Sequence, residues 1–592
     1  MSNKKIFKKL FDSNLYLSDT LDLQNLLSKI NINKFKFSFI KKVTIETSSD
    51  YTLTYLEDML RLFLINRKIK PKINSTSFGS LSYLIRDLND DFWKSQSDIF
   101  LLIPSSRKLN FLPDVNDNLQ TIETKLEKES DIWIKMWKKT NKNIIQTTFD
   151  PLPYSNLGIL DSSNSGGYLN YINKLNLILQ ENAPSNVDLI DLNTLNNQNK
   201  NFKLYDNKMY NLSKQPYSMD AIPHISNLIS GLVAGIIGMA KKVLITDLDN
   251  TLWGGILGDD GLNNIKIGDT SPEGEGYTNF QKYLKSLVKK GIILCVCSKN
   301  DHKLAINAFV NNKQMELSKN DFTMFVANYE DKASNIKNIS KSLNLGLDSF
   351  IFVDDSKIEC ELVSQKLPEV MVINLNNQDP SNFVEIVEST YPFYFKNITK
   401  EDLDRVKSYK QISLLNDKSK SISDLEKFLR ELKPQISIKK VDKDSNDRCA
   451  QLFAKTNQFK FNSNIFSSKQ LLSKNFTSLS INFKDKFHNY GVISSLVYKI
   501  NKKDKYLLIE NWVMSCRVFS RRIEDFIIDY LKVKTKENKC NNICFKLELT
   551  KKNIYLQKFL KETGLKINKQ GQYSFNILNY KTKKKNYIKL IN

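Results

Sequence analysis

The sequence predicts an α/β protein built from several domains, and two observations support this prediction. Its 592 residues exceed the roughly 250–300 residues at which a single hydrophobic core stops growing, so we expect three domains of ordinary size. Short apolar runs alternate with helical patterns through the middle of the chain, which is typical of a parallel sheet with crossover helices. We predict an α/β domain over 1–240, a second α/β domain over 241–395, a helical connector over 396–430 and an α+β domain over 431–592.

The central domain shows this alternation most clearly. A buried strand is predicted over VLIT and ends at Asp247, and two later strands, in IILCVC and FIFVDD, end at Ser298 and at Asp354 with Asp355. Apolar residues at helical spacing fill the segments between the strands, and Gly291 ends the first helix. Because sites in open α/β sheets lie outside the carboxyl ends of the strands, we expect the polar residues at these ends to converge.

The flanking domains show weaker patterns. Strands are predicted in KKVTIETSS, DIFLLIPSS and VDLIDLN of the first domain, with a Lys/Glu-rich insertion near 119–142. The apolar stretch 225–240 is shorter than the about 20 residues that a membrane span needs, so we expect a buried helix there. After Pro434, strands in QISIKKV, GVISSLVYKI and YLLIENWVM predict the α+β domain.

Basic residues outnumber acidic ones, with 88 Lys and Arg against 64 Asp and Glu, which gives a net charge of +24. Such an excess suits nucleic acid, an anionic membrane or acidic partners. The lysines are spread along the whole chain and no basic stripe alternates with aromatic residues, so we do not expect nucleic-acid binding. Phosphorylated metabolites or an acidic carrier protein fit this charge.

The number and spacing of cysteines and histidines limit the kinds of site that the chain can form. The seven cysteines lack the paired spacing of a zinc site, which predicts free thiols in a reducing cytoplasm. The N-terminus lacks the apolar core of a signal peptide, so we expect a cytoplasmic location. Because the chain contains three histidines, we expect catalysis to rely on carboxylates, lysines and a metal ion.

Two carboxylates, Asp247 and Asp249, stand two residues apart at the end of the first central strand. A strand would place both on one face, where their repulsion is costly unless a cation lies between them. Mg²⁺ is the natural cation, because it binds one or two carboxylates together with phosphate oxygens of a substrate. Lys332, at the start of a predicted helix, supplies a positive charge for the same phosphate oxygens.

These residues lie in four ordered motifs of the central domain, DLDNTLWGGILGDDG, VCSKND, ANYEDKASNI and FVDDSKIECELV. Their order and spacing resemble those of the haloacid-dehalogenase (HAD) superfamily. Within it the chain resembles the FkbH-like proteins of subfamily IIIC. The resemblance extends to KLYDNKMYNLSKQPYS in the first domain and to KTNQF (455–459) and WVMSCRVFSRRIED (512–525) in the third.

The resemblance implies a phosphatase mechanism for the central domain. Asp247 is the nucleophile that takes the phosphoryl group, and Asp249 protonates the leaving oxygen and then activates water. Ser298 and Lys332 hold phosphate oxygens and offset the developing charge.

The resemblance also implies a magnesium site. The expected ligands of Mg²⁺ are Asp247, the main-chain carbonyl of Asp249, and one or both of Asp354 and Asp355. The segment between the first two motifs has no room for a large cap domain. An open site of this kind implies a bulky or carrier-borne substrate, or a lid from a neighbouring domain.

FkbH-like proteins are implicated in diverting 1,3-bisphosphoglycerate into a glyceryl thioester on an acyl carrier protein. The expected partners are therefore a phosphorylated small-molecule donor and a carrier with a phosphopantetheine arm. Cys297, beside Ser298, is a candidate to hold the glyceryl thioester. The alternative, a small buried core residue, is favoured because adjacent strand residues face opposite ways. Cys516 is a weaker candidate.

The third domain resembles the acetyltransferase-like (GNAT) domain of this family. GNAT enzymes bind the coenzyme A pyrophosphate on glycine-rich backbone amides at a helix start, whereas the loop FSRRIED has Ser520 and Arg522 where glycines are common. Arg517, Arg521 and Arg522 are instead candidates to bind a phosphopantetheine phosphate by charge. The alternative is that they are surface arginines capping a helix.

The first domain resembles an SGNH-hydrolase-like domain. Ser48 or Ser49 stands where a nucleophile would, but Asp220 and His224 are four residues apart where that family has three. We therefore expect a structural domain. Two other functions remain open for the whole chain: a plain phosphatase of small metabolites with scaffolding outer domains, and a non-catalytic carrier-binding or assembly protein.

Overall fold

The computed structural model describes residues 9–10, 12, 15, 18–30, 39–86, 91–198, 203–396, 398, 400–410, 430–486, 489–519, 521–550, 553–563, 566–567, 573–576 and 587–591. They divide into two compact units, Met1–Ile237 with Glu388–Lys396, and Gly238–Val387 with Asn397–Asn592. Much of the predicted connector, 411–429, and Ser520 of the arginine loop lie outside the described residues.

The first unit is built on a parallel sheet in the order β2-β1-β3-β4-β5. Its strands are β1 (Lys41–Ser49), β2 (Ile69–Ser75), β3 (Ile99–Ile103), β4 (Asn143–Thr147) and β5 (Val187–Ile190). Its helices are α1 (Thr20–Lys29), α2 (Thr54–Asn66), α3 (Ser80–Arg86), α4 (Asp91–Lys94), α5 (Leu119–Trp137), α6 (Tyr168–Asn182), α7 (Asn193–Gln198), α8 (Asn207–Ser213) and α9 (Ala221–Ile236). The parallel pairing confirms the α/β class.

Helix α5 corrects the predicted insertion at 119–142. It is the crossover between β3 and β4, and it buries an apolar face that includes Leu126, Trp133 and Trp137. The indole nitrogen of Trp137 donates a hydrogen bond of 2.8 Å to Gln146 of β4. The lysines and glutamates that suggested an insertion are the outer face of an amphipathic core helix.

Helix α9 occupies most of the apolar stretch that was predicted to be a buried helix, and most of its residues are buried. In the part of the chain that the structure describes, no helix combines the length and apolar character needed to cross a membrane.

The second unit begins with a parallel sheet in the order β10-β9-β6-β7-β8. Its strands are β6 (Val243–Thr246), β7 (Ile293–Ser298), β8 (Met324–Ala327), β9 (Phe350–Asp354) and β10 (Met371–Asn374). The helices that follow them are α10 (Leu257–Asp260), α11 (Pro272–Lys289), α12 (His302–Asn311), α13 (Lys332–Leu343), α14 (Lys357–Lys366) and α15 (Phe383–Glu388). Strands β6, β7 and β9 are confirmed predictions and are buried throughout, whereas β8 and β10 are half-buried edge strands that were not predicted.

A mixed sheet in the order β16-β17-β15-β14-β13-β12-β11-β18 completes the second unit. Its strands are β11 (Gln435–Lys440), β12 (Thr477–Lys484), β13 (Asn489–Asn501), β14 (Tyr506–Met514), β15 (Asn542–Phe545), β16 (Lys566–Ile567), β17 (Tyr573–Asn576) and β18 (Lys589–Leu590). The accompanying helices are α16 (Lys400–Leu403), α17 (Asn446–Lys455), α18 (Ser468–Leu471), α19 (Ile523–Glu537) and α20 (Ile554–Thr563). Strands β11 to β14 pair antiparallel and β14 pairs parallel with β15, which confirms the α+β prediction.

The buried face of α5 gives a first testable prediction. We expect Trp137→Ala to lower the free energy of unfolding by about 3–5 kcal/mol, because a fully buried indole is replaced by a cavity. Lys135→Ala on the exposed face of the same helix removes one surface ion pair, worth about 0.3–0.5 kcal/mol. Urea unfolding monitored by circular dichroism measures both. Equal effects of the two substitutions would mean that α5 is a peripheral insertion after all.

Candidate active site

The carboxyl ends of β6, β7 and β9 form one polar cluster in the second unit. β6 lies between the other two strands, and the Asp247 backbone N–H donates 3.0 Å to the Val353 carbonyl of β9. Ser298 ends β7 and Asp354 ends β9. The parallel topology therefore brings together the residues that the sequence places far apart.

Lys332 is the cation at the centre of this cluster. Its Nζ lies 2.8 Å from Asp247 Oδ2 and 2.6 Å from Asp354 Oδ2, and the side chain is buried. Burial alone would lower the pKa of Lys332, but the two carboxylates raise it above its usual value. The ammonium group therefore stays charged and holds the two carboxylates in place.

Asp354 is completely buried, with both oxygens in hydrogen bonds. Oδ1 accepts from the Ser356 backbone N–H at 2.8 Å, and Oδ2 accepts from Lys332. Burial and the charge of Asp247 raise the pKa of Asp354 to about 7, although Lys332 acts in the opposite direction. In a chain without metal, one proton is therefore easily held among these groups.

The cluster also meets the requirements of a divalent cation site. One carboxylate oxygen from each of Asp247, Asp354 and Asp355 lies within 4.8 Å of the others. The Oδ1 atom of Asp247 is buried and has no hydrogen-bond partner among the described residues, which is costly for an ionised carboxylate without a cation. Burial and Asp247 raise the pKa of Asp355. A hard cation with oxygen ligands, such as Mg²⁺, fits this set.

Asp249 has a different environment from the metal-site carboxylates. Its Oδ1 accepts hydrogen bonds from Trp253 Nε1 at 2.9 Å and from the Leu257 backbone N–H at 3.1 Å, and its Oδ2 accepts from Asn300 Nδ2 at 2.8 Å. Burial raises the pKa of Asp249 in spite of these hydrogen bonds. A carboxyl group that is fixed in orientation and has a raised pKa is suited to general acid catalysis.

Asn300 and Trp253 are site residues that the sequence analysis did not single out. Asn300 Nδ2 also lies 3.4 Å from Ser298 Oγ, so one amide links the second carboxylate to the buried serine. Asn300 lies in the motif VCSKND and Trp253 in the motif DLDNTLWGG. Each of the two side chains carries an N–H donor within a motif that surrounds the site, and this was the signal in the sequence. No spacing rule, however, paired either donor with Asp249.

Cys297 lies next to Ser298 in sequence but in the apolar core in space. It is fully buried among residues such as Val243 and Ile245, and its Sγ donates to the Lys332 carbonyl at 3.8 Å. Burial raises the pKa of the Cys297 thiol. These observations favour the core alternative over the thioester role.

The predicted phosphopantetheine arginines are less exposed than a docking surface requires. Arg517 and Arg521 are buried, and Arg521 forms an ion pair with Asp485 and donates 2.7 Å to the Tyr490 hydroxyl. Arg522 is half-buried and adopts a left-handed conformation at the start of α19, with φ 61°. Arg521 therefore has a structural partner, which argues against its use in carrier binding.

The two candidate serines of the first unit take part in local hydrogen bonds. Ser48 Oγ lies 2.8 Å from Ser80 Oγ, and Ser49 Oγ donates 2.9 Å to the Ile103 carbonyl. Among the described residues, neither hydroxyl bonds to a histidine or a carboxylate. Burial lowers the pKa of His224 to about 4. This geometry agrees with the expectation of a structural role.

The double ion pair of Lys332 gives a second testable prediction. Without added metal, we expect Lys332→Met to lower the free energy of unfolding by about 3–5 kcal/mol, because two buried carboxylates lose their counter-charge. The matched control is Lys337→Met, an exposed position on the same helix, with an expected change within about 0.5 kcal/mol. Chemical unfolding in EDTA measures both. A loss that is no larger for Lys332→Met would show that the ion pairs contribute little to stability.

Comparison with known proteins gives one family match and several similar solved structures. Residues 42–234 match the family model described as the FkbH N-terminal domain. A crystal structure of the N-terminal part of a Bacteroides fragilis protein, containing a phosphatase domain complexed with Mg, is 27% identical to this chain with a TM-score of 0.57. The alignment covers 64% of this chain and 100% of that one. No curated protein matches the sequence.

Two acetyltransferase structures also overlap with part of the chain. The ribosomal-protein-S18-alanine N-acetyltransferase of Escherichia coli is 8% identical, covering 24% of this chain and 94% of its own, with a TM-score of 0.18. A GNAT-family acetyltransferase of Staphylococcus aureus is 14% identical, covering 24% and 99%, with a TM-score of 0.19. At these scores neither structure bears on the activity. The family match thus spans residues 42–234 of the first unit, and the chain is similar to the solved phosphatase-domain structure over most of its length.

Proposed function

We propose that the central domain is a Mg²⁺-dependent phosphatase that transfers a phosphoryl group to Asp247. The observation that carries this proposal is the asymmetry of the Asp247 carboxylate: Oδ2 is paired with Lys332, while Oδ1 is buried without a partner among the described residues. Lys332 thus fixes the carboxylate in position, and Oδ1 retains lone pairs that can bind a cation or attack phosphorus. The phosphatase domain of the Bacteroides fragilis neighbour, which was crystallised with Mg, supports the same assignment.

In the first half-reaction a carboxylate oxygen of Asp247 attacks phosphorus, and the bond from phosphorus to the leaving oxygen breaks. Asp249 gives its proton to that leaving oxygen, which its raised pKa assists. Ser298 and Lys332 bind equatorial phosphate oxygens and stabilise their charge. The products are an aspartyl phosphate and the free alcohol or acid.

In the second half-reaction the ionised Asp249 takes a proton from water, and the water oxygen attacks the phosphorus of the aspartyl phosphate. Asp247 is released as a carboxylate together with inorganic phosphate. Mg²⁺ held by Asp247, the Asp249 main-chain carbonyl and Asp354 or Asp355 would offset the repulsion between carboxylates and phosphate. Asn300 keeps Asp249 oriented through both steps.

The size of the connection between β6 and β7 bears on which substrates can reach the site. Its helices are the short α10 and the longer α11, which form no separate cap domain. We propose that the substrate is bulky or carrier-borne, as an uncovered site permits. The family match of residues 42–234 supports the finer proposal that a glyceryl or related acyl group from a phosphorylated three-carbon donor is loaded onto an acyl carrier protein.

A chain-bound acyl thioester on this route requires an accessible thiol. Cys297 is fully buried, whereas Cys516 is half-buried, so accessibility favours Cys516. The test of the transfer proposal is intact-mass analysis of a candidate carrier after incubation with the chain and bisphosphoglycerate. A mass gain of one glyceryl group supports it. Release of phosphate without any carrier mass gain supports the alternative of a plain phosphatase.

The assignment of the nucleophile gives a third prediction. We expect Asp247→Asn to reduce phosphatase turnover to background with Mg²⁺ present, because a carboxamide cannot attack phosphorus. The matched control is Asp259→Asn, an exposed position in α10, which should retain the wild-type rate. Release of phosphate from a small phosphate ester measures both, with EDTA as the metal-free arm. Substantial turnover by a folded Asp247→Asn variant would remove Asp247 as nucleophile.

The role of Asp249 gives a fourth prediction. We expect Asp249→Asn to slow turnover by about 10²–10⁴-fold, because the group that protonates the leaving oxygen and activates water is lost. An ester with a good leaving group needs little acid assistance, so with that substrate the phospho-enzyme should accumulate. Rapid quenching and mass spectrometry detect phosphate on Asp247. Equal slowing of good and poor leaving groups, with no phospho-enzyme, would contradict the acid–base role.

A further inference from the structure

A cavity in the first unit lies at the carboxyl ends of β1 and β2, where ligands bind in open α/β sheets. Its volume is about 110 Å³, which is room for several water-sized groups. Most of the side chains that line it carry a hydroxyl group, and one of them, Glu57, carries a carboxylate. The proposed phosphatase mechanism uses none of these residues.

The hydroxyl protons of the cavity wall are already directed at acceptors of the fold. Tyr51 donates its phenolic proton to Asp150 Oδ2 at 2.8 Å, and Thr52 donates its hydroxyl proton to the Ser213 carbonyl at 2.7 Å. A hydroxyl oxygen donates one hydrogen bond but can accept two, so these oxygens keep lone pairs. The hydroxyl groups of the wall are therefore fixed in position as hydrogen-bond acceptors.

Glu57 decides which charge the cavity rejects. It is buried, Oε1 accepts a hydrogen bond from Thr47 Oγ1 at 2.6 Å, and Oε2 accepts one from Ser75 Oγ. Each carboxylate oxygen has room for a further donor. Among the described residues that line the cavity none is basic, so an anion would meet the Glu57 charge without a compensating cation. Phosphates and carboxylates therefore do not fit.

The first turn of α2 gives the same cavity hydrogen-bond donors. α2 begins at Thr54, its N-cap residue Leu53 makes no side-chain hydrogen bond, and both residues line the cavity. The first N–H groups of a helix have no partner within the helix, and their partial positive charge favours a carboxylate in the first turn, where Glu57 lies. The helix thus partly offsets the Glu57 charge, and it offers donors that an ammonium ligand, which has no acceptor, cannot use.

Phe78 lies at the opening of the cavity. Its side chain lines the cavity and is 53% exposed, so a ligand that enters from solvent passes an aromatic ring. The face of such a ring carries partial negative charge and attracts the partly positive C–H groups of a ligand. A molecule with hydroxyl groups on one side and C–H groups on the other can use both the polar wall and the ring.

We propose that this cavity binds an uncharged polyol, such as glycerol or one edge of a sugar ring. Each hydroxyl group of a polyol can donate to Glu57 or to a wall hydroxyl, and can accept from the N–H groups of α2. The polyol is bound without reaction, because the Ser49 hydroxyl donates its proton to the Ile103 carbonyl and no histidine is among the described residues that line the cavity. The proposal does not depend on the phosphatase function of the second unit.

The test uses the full-length chain and saturation-transfer difference NMR of the ligand. Glycerol and glucose, as separate arms, distinguish a short polyol from a sugar ring, and ethanolamine and glycolate are the cationic and anionic probes. We expect a saturable signal from glycerol or glucose at millimolar concentrations. The affinity of both charged probes should be about tenfold weaker, because each leaves a polar group of the wall unpaired. No saturable polyol signal, or a charged probe that binds as tightly, would overturn the proposal.

Two substitutions make the test specific. Phe78→Ser removes the ring at the opening and should weaken polyol binding about threefold to tenfold. Its matched control is Tyr83→Ser, an aromatic residue of α3 that is 71% exposed and does not line the cavity, which should bind as the wild type does.

Glu57→Gln replaces one carboxylate oxygen by an amide and should weaken polyol binding about tenfold. If Glu57→Gln fails to fold, Phe78→Ser decides, because its exposed side chain can be removed without opening the core. Polyol binding by Phe78→Ser that equals that of Tyr83→Ser, or unchanged binding by a folded Glu57→Gln variant, would show that the ligand binds elsewhere and would contradict the proposal.

Discussion

The buried ammonium group of Lys332 is the interaction on which the central site depends. Three carboxylates at the ends of adjacent strands repel one another strongly in a low-dielectric environment. Lys332 contacts two of them directly, at 2.6 and 2.8 Å, and so offsets part of this repulsion. In the proposed mechanism, a substrate phosphate that binds Lys332 would compete with these carboxylates for the N–H donors of the same ammonium group.

The sequence predicted the site well where a residue's position follows from the strand that it ends. Strand ends at Asp247, Ser298 and Asp354 follow from apolar runs and parallel topology, and the structure places Asp247 and Asp354 in one cluster with Lys332. It was a poorer guide where partners are set by tertiary packing. The hydrogen bonds from Trp253 and Asn300 to Asp249 depend on how loops fold back over the sheet, which no periodicity encodes.

Burial explains the other differences between expectation and structure. Charge along 119–142 suggested an insertion, but charge on one face of a helix says nothing of the opposite face, which here carries Trp133 and Trp137. Arg521 was expected to display its charge, yet Asp485, far from it in sequence, pairs with it in the interior. In both cases the prediction considered the charged residues alone. The residues that the fold places beside them could not be included.

Two glycines with positive φ lie against backbone carbonyls, Gly238 against Ala454 and Gly291 against Asp402, and these close contacts have a consequence for biosynthesis. Strands β6 to β10 leave the ribosome before α16 and α17, which carry Asp402 and Ala454, the partners of the two glycines. Domains generally fold in the order of their synthesis, so the nascent central sheet must wait with these two contact surfaces uncovered. A gene that encodes only 238–395 would leave them uncovered permanently. Chimaeras that exchange residues 396–592 must therefore preserve backbone shape at both contacts, since side-chain complementarity alone cannot restore contacts made by carbonyl oxygens.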